Sequence, residues 1–191
     1  MKQLRRPPQL IVIDDFLDDP DEVRAVALAQ PFEKMHCAGL RTAQRFLHLA
    51  PYRERFEAAL SRTLNHWDDN AANGRFQCCF ASDAIPYHSD SQSYAAVLFL
   101  TPNAPMEAGV SFFQGTRSGL RRRSTDPALM ALTFGADAEF DRSRWLEVDR
   151  VANLYNRLVL FDAHLAHGAS AYFGDRLENA RLFQNFFFNI E

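Results

Sequence analysis

The chain has 191 residues, 47% apolar and 24% charged, with a formal net charge of −3. That size suits a single domain over 1–191, able to bury a core without disulfide or metal staples. The negative balance argues against general nucleic-acid binding, which needs a positive field to displace counterions.

In chain order, Leu10 to Ile13 is rich in β-branched residues and reads as an opening strand. Asp19 stands ready to cap a helix, with Pro20 in its first position. Val23, Val26 and Ala27 repeat at helical spacing to about Ala29, before Pro31. A second helix is predicted over 52–66, where Phe56, Leu60 and Leu64 step by four along one face. Asp68-Asp69-Asn70 and Asn73-Gly74 then mark a turn. Strands are predicted at 75–80, 94–100 and 109–114, and more strongly at 157–161 and 181–189. Residues 115–125 are polar and basic and read as a loop, and 127–145 is ambiguous. Arg121-Arg122-Arg123 within that loop reads as a solvated stretch. Seventeen Phe, three of them consecutive at 186–188, predict strands buried on both faces. Helices early and strands late give an α+β chain with a β-rich body.

The three cysteines are Cys37, Cys78 and Cys79. An odd number with an adjacent pair is not a disulfide framework, because neighbouring strand residues point to opposite faces. Met1-Lys2 runs into Pro7-Pro8 with no apolar leader segment, and no run approaches the ~20 apolar residues of a membrane helix. A reducing cytoplasm is the expected location, with no membrane partner.

The segment that carries chemistry is Tyr87-His88-Ser89-Asp90. In an extended chain, residues two apart project from the same side. The His88 imidazole and the Asp90 carboxylate can therefore converge on one ion. A second histidine from a neighbouring strand would complete a facial triad with open positions, as in non-haem Fe(II) sites. Alone, His-x-Asp is weak and also fits a polar turn after Pro86. The supporting sequence is an apolar run to Phe161, then Asp162-Ala163-His164-Leu165-Ala166-His167-Gly168. Arg181 opens the Phe-rich strand, where Arg181, Phe183, Asn185 and Phe187 alternate onto one face. A core-facing arginine needs an anionic partner. That partner is either a protein carboxylate or a bound dicarboxylate held in a two-toothed pair, unless the arginine stands at a solvated strand edge.

The order His-x-Asp, long gap, His, short gap, Arg resembles the 2-oxoglutarate/Fe(II) dioxygenase superfamily. Ile13-Asp-Asp-Phe-Leu17, Phe76-Gln-Cys, His88-Ser-Asp-Ser-Gln92, Leu98-Phe-Leu-Thr-Pro102 and Tyr172-Phe-Gly-Asp175 resemble a bacterial and phage branch related to prolyl hydroxylases. The resemblance spans nearly the whole chain. It implies a jelly-roll (double-stranded β-helix) core with flanking amino-terminal helices. It implies iron ligands at His88, Asp90 and His167, with Arg181 on the distal carboxylate of 2-oxoglutarate. Arg181 follows the distal histidine at longer spacing than is usual in those relatives, the extra residues fitting the turn Phe173-Gly174-Asp175. Gln77 is a second candidate contact to the cosubstrate, with an outward-facing strand glutamine as its alternative. His164 competes with His167 as third ligand, and the small residue Gly168 favours His167. The implied reaction uses Fe(II), 2-oxoglutarate and dioxygen to hydroxylate a peptidyl, amino-acid or small-molecule substrate. The carboxylate at Asp90 implies hydroxylation rather than halogenation. Three other readings stand beside it: a non-catalytic binding module on the same scaffold, an interaction protein using the loop 117–123, and a cupin-type metal enzyme.

Overall fold

The computed structural model describes residues 8–191. The stretch read for a leader, up to Pro7, lies outside the described residues. The chain opens with strand β1 (Leu10–Ile13), helix α1 (Pro20–Leu28), β2 (Phe32–Glu33), β3 (Leu40–Thr42), helix α2 (Tyr52–Leu60) and β4 (Leu64–Asn65). There follow β5 (Phe76–Cys79), β6 (Tyr94–Phe99), β7 (Val110–Gly115), helix α3 (Pro127–Phe134), β8 (Trp145–Val151), β9 (Leu158–Asp162), β10 (His167–Ala169) and β11 (Arg181–Ile190).

The strands form two open antiparallel sheets. The larger runs β1-β9-β6-β11-β5-β3-β2, with β4 pairing the far end of β11, and the smaller runs β10-β7-β8. The sequence expectation of an α+β chain is met. One face of the large sheet packs on α1 and α2 through Phe56, Leu98, Leu160, Phe186 and Phe188. Its other face meets the small sheet through Phe99, Phe112, Phe161 and Phe183. The phenylalanines therefore serve both faces, as the Phe-rich strand predicts. Phe56 stacks on Phe188 at 5.4 Å and meets Phe186 edge-on at 5.1 Å.

Asp19 caps α1 as expected, its carboxylate accepting from the Glu22 N–H at 2.9 Å. The second helix is shorter than the predicted 52–66. Ser61 adopts the left-handed conformation (φ 52°) and the Arg62 N–H closes back on Glu57, ending α2 at Leu60. Leu64, which kept the helical period, instead pairs with Ile190 in the sheet. The ambiguous segment 127–145 resolves into α3, capped by Asp126, and a single 3-10 turn leading into β8. No helix of the described residues is long and apolar enough to cross a membrane.

Candidate metal centre

His88 lies in the segment between β5 and β6, outside any named strand, and is fixed by a backbone bridge to β10. The His88 N–H donates to the His167 carbonyl at 3.0 Å, and the His167 N–H returns a bond of 2.8 Å. The Asp90 N–H donates to the Ala163 carbonyl at 2.8 Å. Strand β10 is held in turn by β7, with His167 opposite Phe112. Gly168 permits the close approach of these backbones. A Cβ there would lie 2.8 Å from the Pro86 carbonyl oxygen.

The imidazoles are oriented by carbonyls behind them. His167 Nδ1 lies 2.8 Å from Leu165 O, and His88 Nδ1 lies 3.4 Å from Pro86 O. A carbonyl only accepts, so each Nδ1 carries a proton and each Nε2 is turned towards Asp90. His88 Nε2 is 3.7 Å from Asp90 Oδ1, and His167 Nε2 is 3.4 Å from Asp90 Oδ2. One ligand atom from each residue lies within 4.8 Å of the others. Asp90 Oδ2, 3.4 Å from His167 Nε2, is buried without a hydrogen-bond partner among the described residues.

Loss of hydration, reinforced by His167, pushes the His88 imidazole down to about 4. Its side chain is 41% accessible, but that surface lines the cavity described below, so surrounding protein replaces most of its water. Burial works against the Asp90 charge. His167, His88 and Arg123 nonetheless hold the carboxyl below the usual carboxylate range. A neutral imidazole beside an ionised, unpartnered carboxylate is the state a metal site requires. Two imidazole nitrogens and one carboxylate on a single side suit a divalent ion such as Fe(II), with other positions left open.

The triad lines a cavity of about 790 Å³. Arg181, Phe183, Asn185 and Phe187 of β11 line it too, as their alternation predicts. Arg181 is 2% exposed. Its Nε donates to Ala108 O at 3.1 Å and its Nη2 to Gly109 O at 3.0 Å. The guanidinium carbon lies 4.4 Å from the centroid of the Phe183 ring and 5.2 Å from that of Phe99. No carboxylate lies within 4 Å of it among the described residues, and burial lowers its pKa. The anionic partner that the sequence argument requires is therefore not supplied by the described protein. The site has room and charge for a bound carboxylate.

Gln77 is buried on the same cavity wall. Its Oε1 accepts from Arg41 and from Asn185 Nδ2 (2.8 Å), and its Nε2 donates to Ala38 O at 2.7 Å. Its amide is thus engaged by protein on both sides. His164 points elsewhere, with Nδ1 3.3 Å from Asp162 Oδ1. The arginine loop is exposed, and Arg122 pairs with Asp162 at 3.1 Å. Sequence reasoning overlooked the segment 34–41, which forms part of the cavity wall and contributes Arg41. Its strand, β3, spans three residues and shows no readable period.

No protein-family model matches the sequence, and no curated protein matches it. Solved structures do match in fold. HygX from Streptomyces hygroscopicus, with nickel and 2-oxoglutarate bound, aligns with a TM-score of 0.59 at 14% identity, over 93% of this chain and 81% of that one. A second HygX structure, which also holds hygromycin B, aligns with a TM-score of 0.56 at 12% identity, over 93% and 81%. A prolyl hydroxylase from Trichoplax adhaerens, in complex with a hypoxia inducible factor oxygen degradation domain peptide fragment, aligns with a TM-score of 0.52 at 9% identity, over 94% and 83%. The two facing sheets share the jelly-roll fold of these structures.

Proposed function

We propose that the chain is a non-haem Fe(II)- and 2-oxoglutarate-dependent oxygenase built as one catalytic domain. In this reading His88, Asp90 and His167 hold the iron, and Arg181 takes the distal carboxylate of 2-oxoglutarate. One observation carries the reading. The Asp90 carboxylate, one oxygen of which is unpartnered, faces the Nε2 atoms of His88 and His167 and shares a cavity with a buried arginine that has no carboxylate within 4 Å among the described residues. Likeness in fold to a protein that binds nickel and 2-oxoglutarate supports it.

Iron and 2-oxoglutarate, when bound, would supply, with dioxygen as oxidant, a decarboxylation to succinate and carbon dioxide that drives hydroxylation of a C–H bond. The protein supplies placement and exclusion of water. The carbonyls of Leu165 and Pro86 fix which nitrogen of each histidine faces the metal. The carbonyls of Ala108 and Gly109 fix the Arg181 fork. Phe161, Phe183 and Phe187 line the wall between them and keep it apolar. The prime substrate is a small molecule or a peptidyl side chain, the two kinds seen bound in the matching folds. The free thiols fit a reducing cytoplasm.

Asp90→Ala should abolish iron-dependent formation of succinate from 2-oxoglutarate. Turnover at the wild-type rate would remove Asp90 from the metal. Arg181→Ala should raise the 2-oxoglutarate requirement roughly thirtyfold or more, since it strips one partner from a buried charged pair.

A further inference from the structure

Two more arginines, one lining the cavity and one against a residue of its wall, have no acidic partner within 4 Å among the described residues. Arg41 lines the cavity from β3, opposite Gln77 of β5. Arg75 immediately precedes β5, against Met35 of the same cavity wall. The Nε and Nη2 of Arg41 both donate to the neutral Gln77 Oε1. Arg75 Nη1 rests on the Met35 sulfur at 3.0 Å, a weak acceptor, and Arg75 Nε is buried with no hydrogen-bond partner. No carboxylate lies within 4 Å of either guanidinium among the described residues. Burial, together with Arg75, lowers the Arg41 pKa, and the carboxylate that acts on it in the other direction is Asp90. Asp90 lies beyond 4 Å of that guanidinium and faces His88 and His167 instead.

Two like charges, both partly buried and lacking a counter-ion, are unfavourable in the empty protein. An anion reached by both would offset that repulsion. Paired guanidinium forks match the oxygens of a carboxylate, phosphate or sulfate. This position is distinct from Arg181. Strand β3 lies two strands from β11, a lateral separation of roughly 10 Å.

We propose that Arg41 and Arg75 bind an anionic group of the prime substrate, and that Gln77 with Asn185 holds the Arg41 guanidinium in place. The word substrate rests on the oxygenase reading. The anion site itself rests on the arginines alone.

The test titrates sulfate into protein already saturated with Zn(II) and 2-oxoglutarate, so that Arg181 is occupied. Chloride holds the ionic strength constant. The side-chain Nε–Hε NMR signals of Arg41 and Arg75 report binding. Both signals should move saturably. Arg41→Gln and Arg75→Gln should each weaken sulfate about tenfold or more, as expected for lost bonds to a charged group. Arg41→Lys should recover part of that loss. Affinity for 2-oxoglutarate should stay within about twofold of wild type, because both residues lie off β11, the strand that carries Arg181. Signals that drift without saturating, or variants that bind sulfate like wild type, overturn the proposal. Variants that lose 2-oxoglutarate while keeping sulfate overturn it too, by moving these arginines to the cosubstrate. If wild type binds sulfate but never takes up 2-oxoglutarate, the oxygenase reading fails while the anion site stands.

Discussion

At the scale of single residues, the site is governed by which atom each group turns inward. His88 and Asp90 were legible because i and i+2 positions share a side. Their approach to His167 was not, because it depends on a backbone bridge between segments distant in sequence. His167 rather than His164 stands within 4.8 Å of His88 and Asp90, and Gly168, by lacking a Cβ, lets the Pro86 carbonyl approach beside it. His88 sets a pH dependence in the metal-free protein. Its folded pKa of about 4 lies below the ordinary 6.5. Between those values the unfolded chain binds the extra proton, so stability is complete above 6.5 and is lost as the pH falls towards 4. Urea unfolding at neutral pH and near pH 4.5 should show a smaller loss for His88→Gln than for wild type. Equal losses would contradict that origin. The thiols offer a second check. Burial pushes Cys78 up to about 12 and raises Cys79, and both are fully enclosed. Iodoacetamide at neutral pH should therefore add one group to the native protein, on the half-buried Cys37, as read by intact mass and peptide mapping. Alkylation of Cys78 in the folded protein would contradict it.

At the scale of elements, β11 does two tasks with one alternation. Arg181, Phe183, Asn185 and Phe187 face the cavity, while Phe186 and Phe188 fill the layer under α1 and α2. That division was readable because strand period is strict. Phe186→Ala should cost about 3–5 kcal/mol by urea unfolding, the range for emptying an aromatic core position. A cost under about 1 kcal/mol would mean that the core closes over the gap. The helix end at Leu60 was not readable, since Leu64 kept the helical period while Ser61 broke the chain with a positive φ. Ser61→Gly should stabilise the protein by about 0.5–1 kcal/mol by relieving the left-handed conformation. A loss of stability there would show that the Ser61 side chain contributes more than its backbone costs. Strand β8 escaped notice because Trp-Leu-Glu-Val-Asp-Arg-Val sits at an edge with mixed exposure, and edge strands give weak patterns.

At the scale of the molecule, two open sheets enclose one cavity whose chemistry comes from both. The small sheet brings His167, and the large sheet brings Arg181, Gln77 and Arg41. Sequence order located the metal-ligand candidates and Arg181, each carried by a spacing. It missed Arg41, whose short strand has no spacing to read and whose importance lies in what it lacks, a carboxylate partner. On the proposed function, one ion and one dicarboxylate occupy this cavity together. The most direct measurement is anaerobic titration of the protein with Fe(II) and 2-oxoglutarate, followed by visible absorption. The weak charge-transfer band of the ternary complex should grow to a stoichiometry of about one iron per chain, and it should be missing in Asp90→Ala. A wild-type protein that binds neither component, or a band that persists unchanged in Asp90→Ala, would contradict the claim.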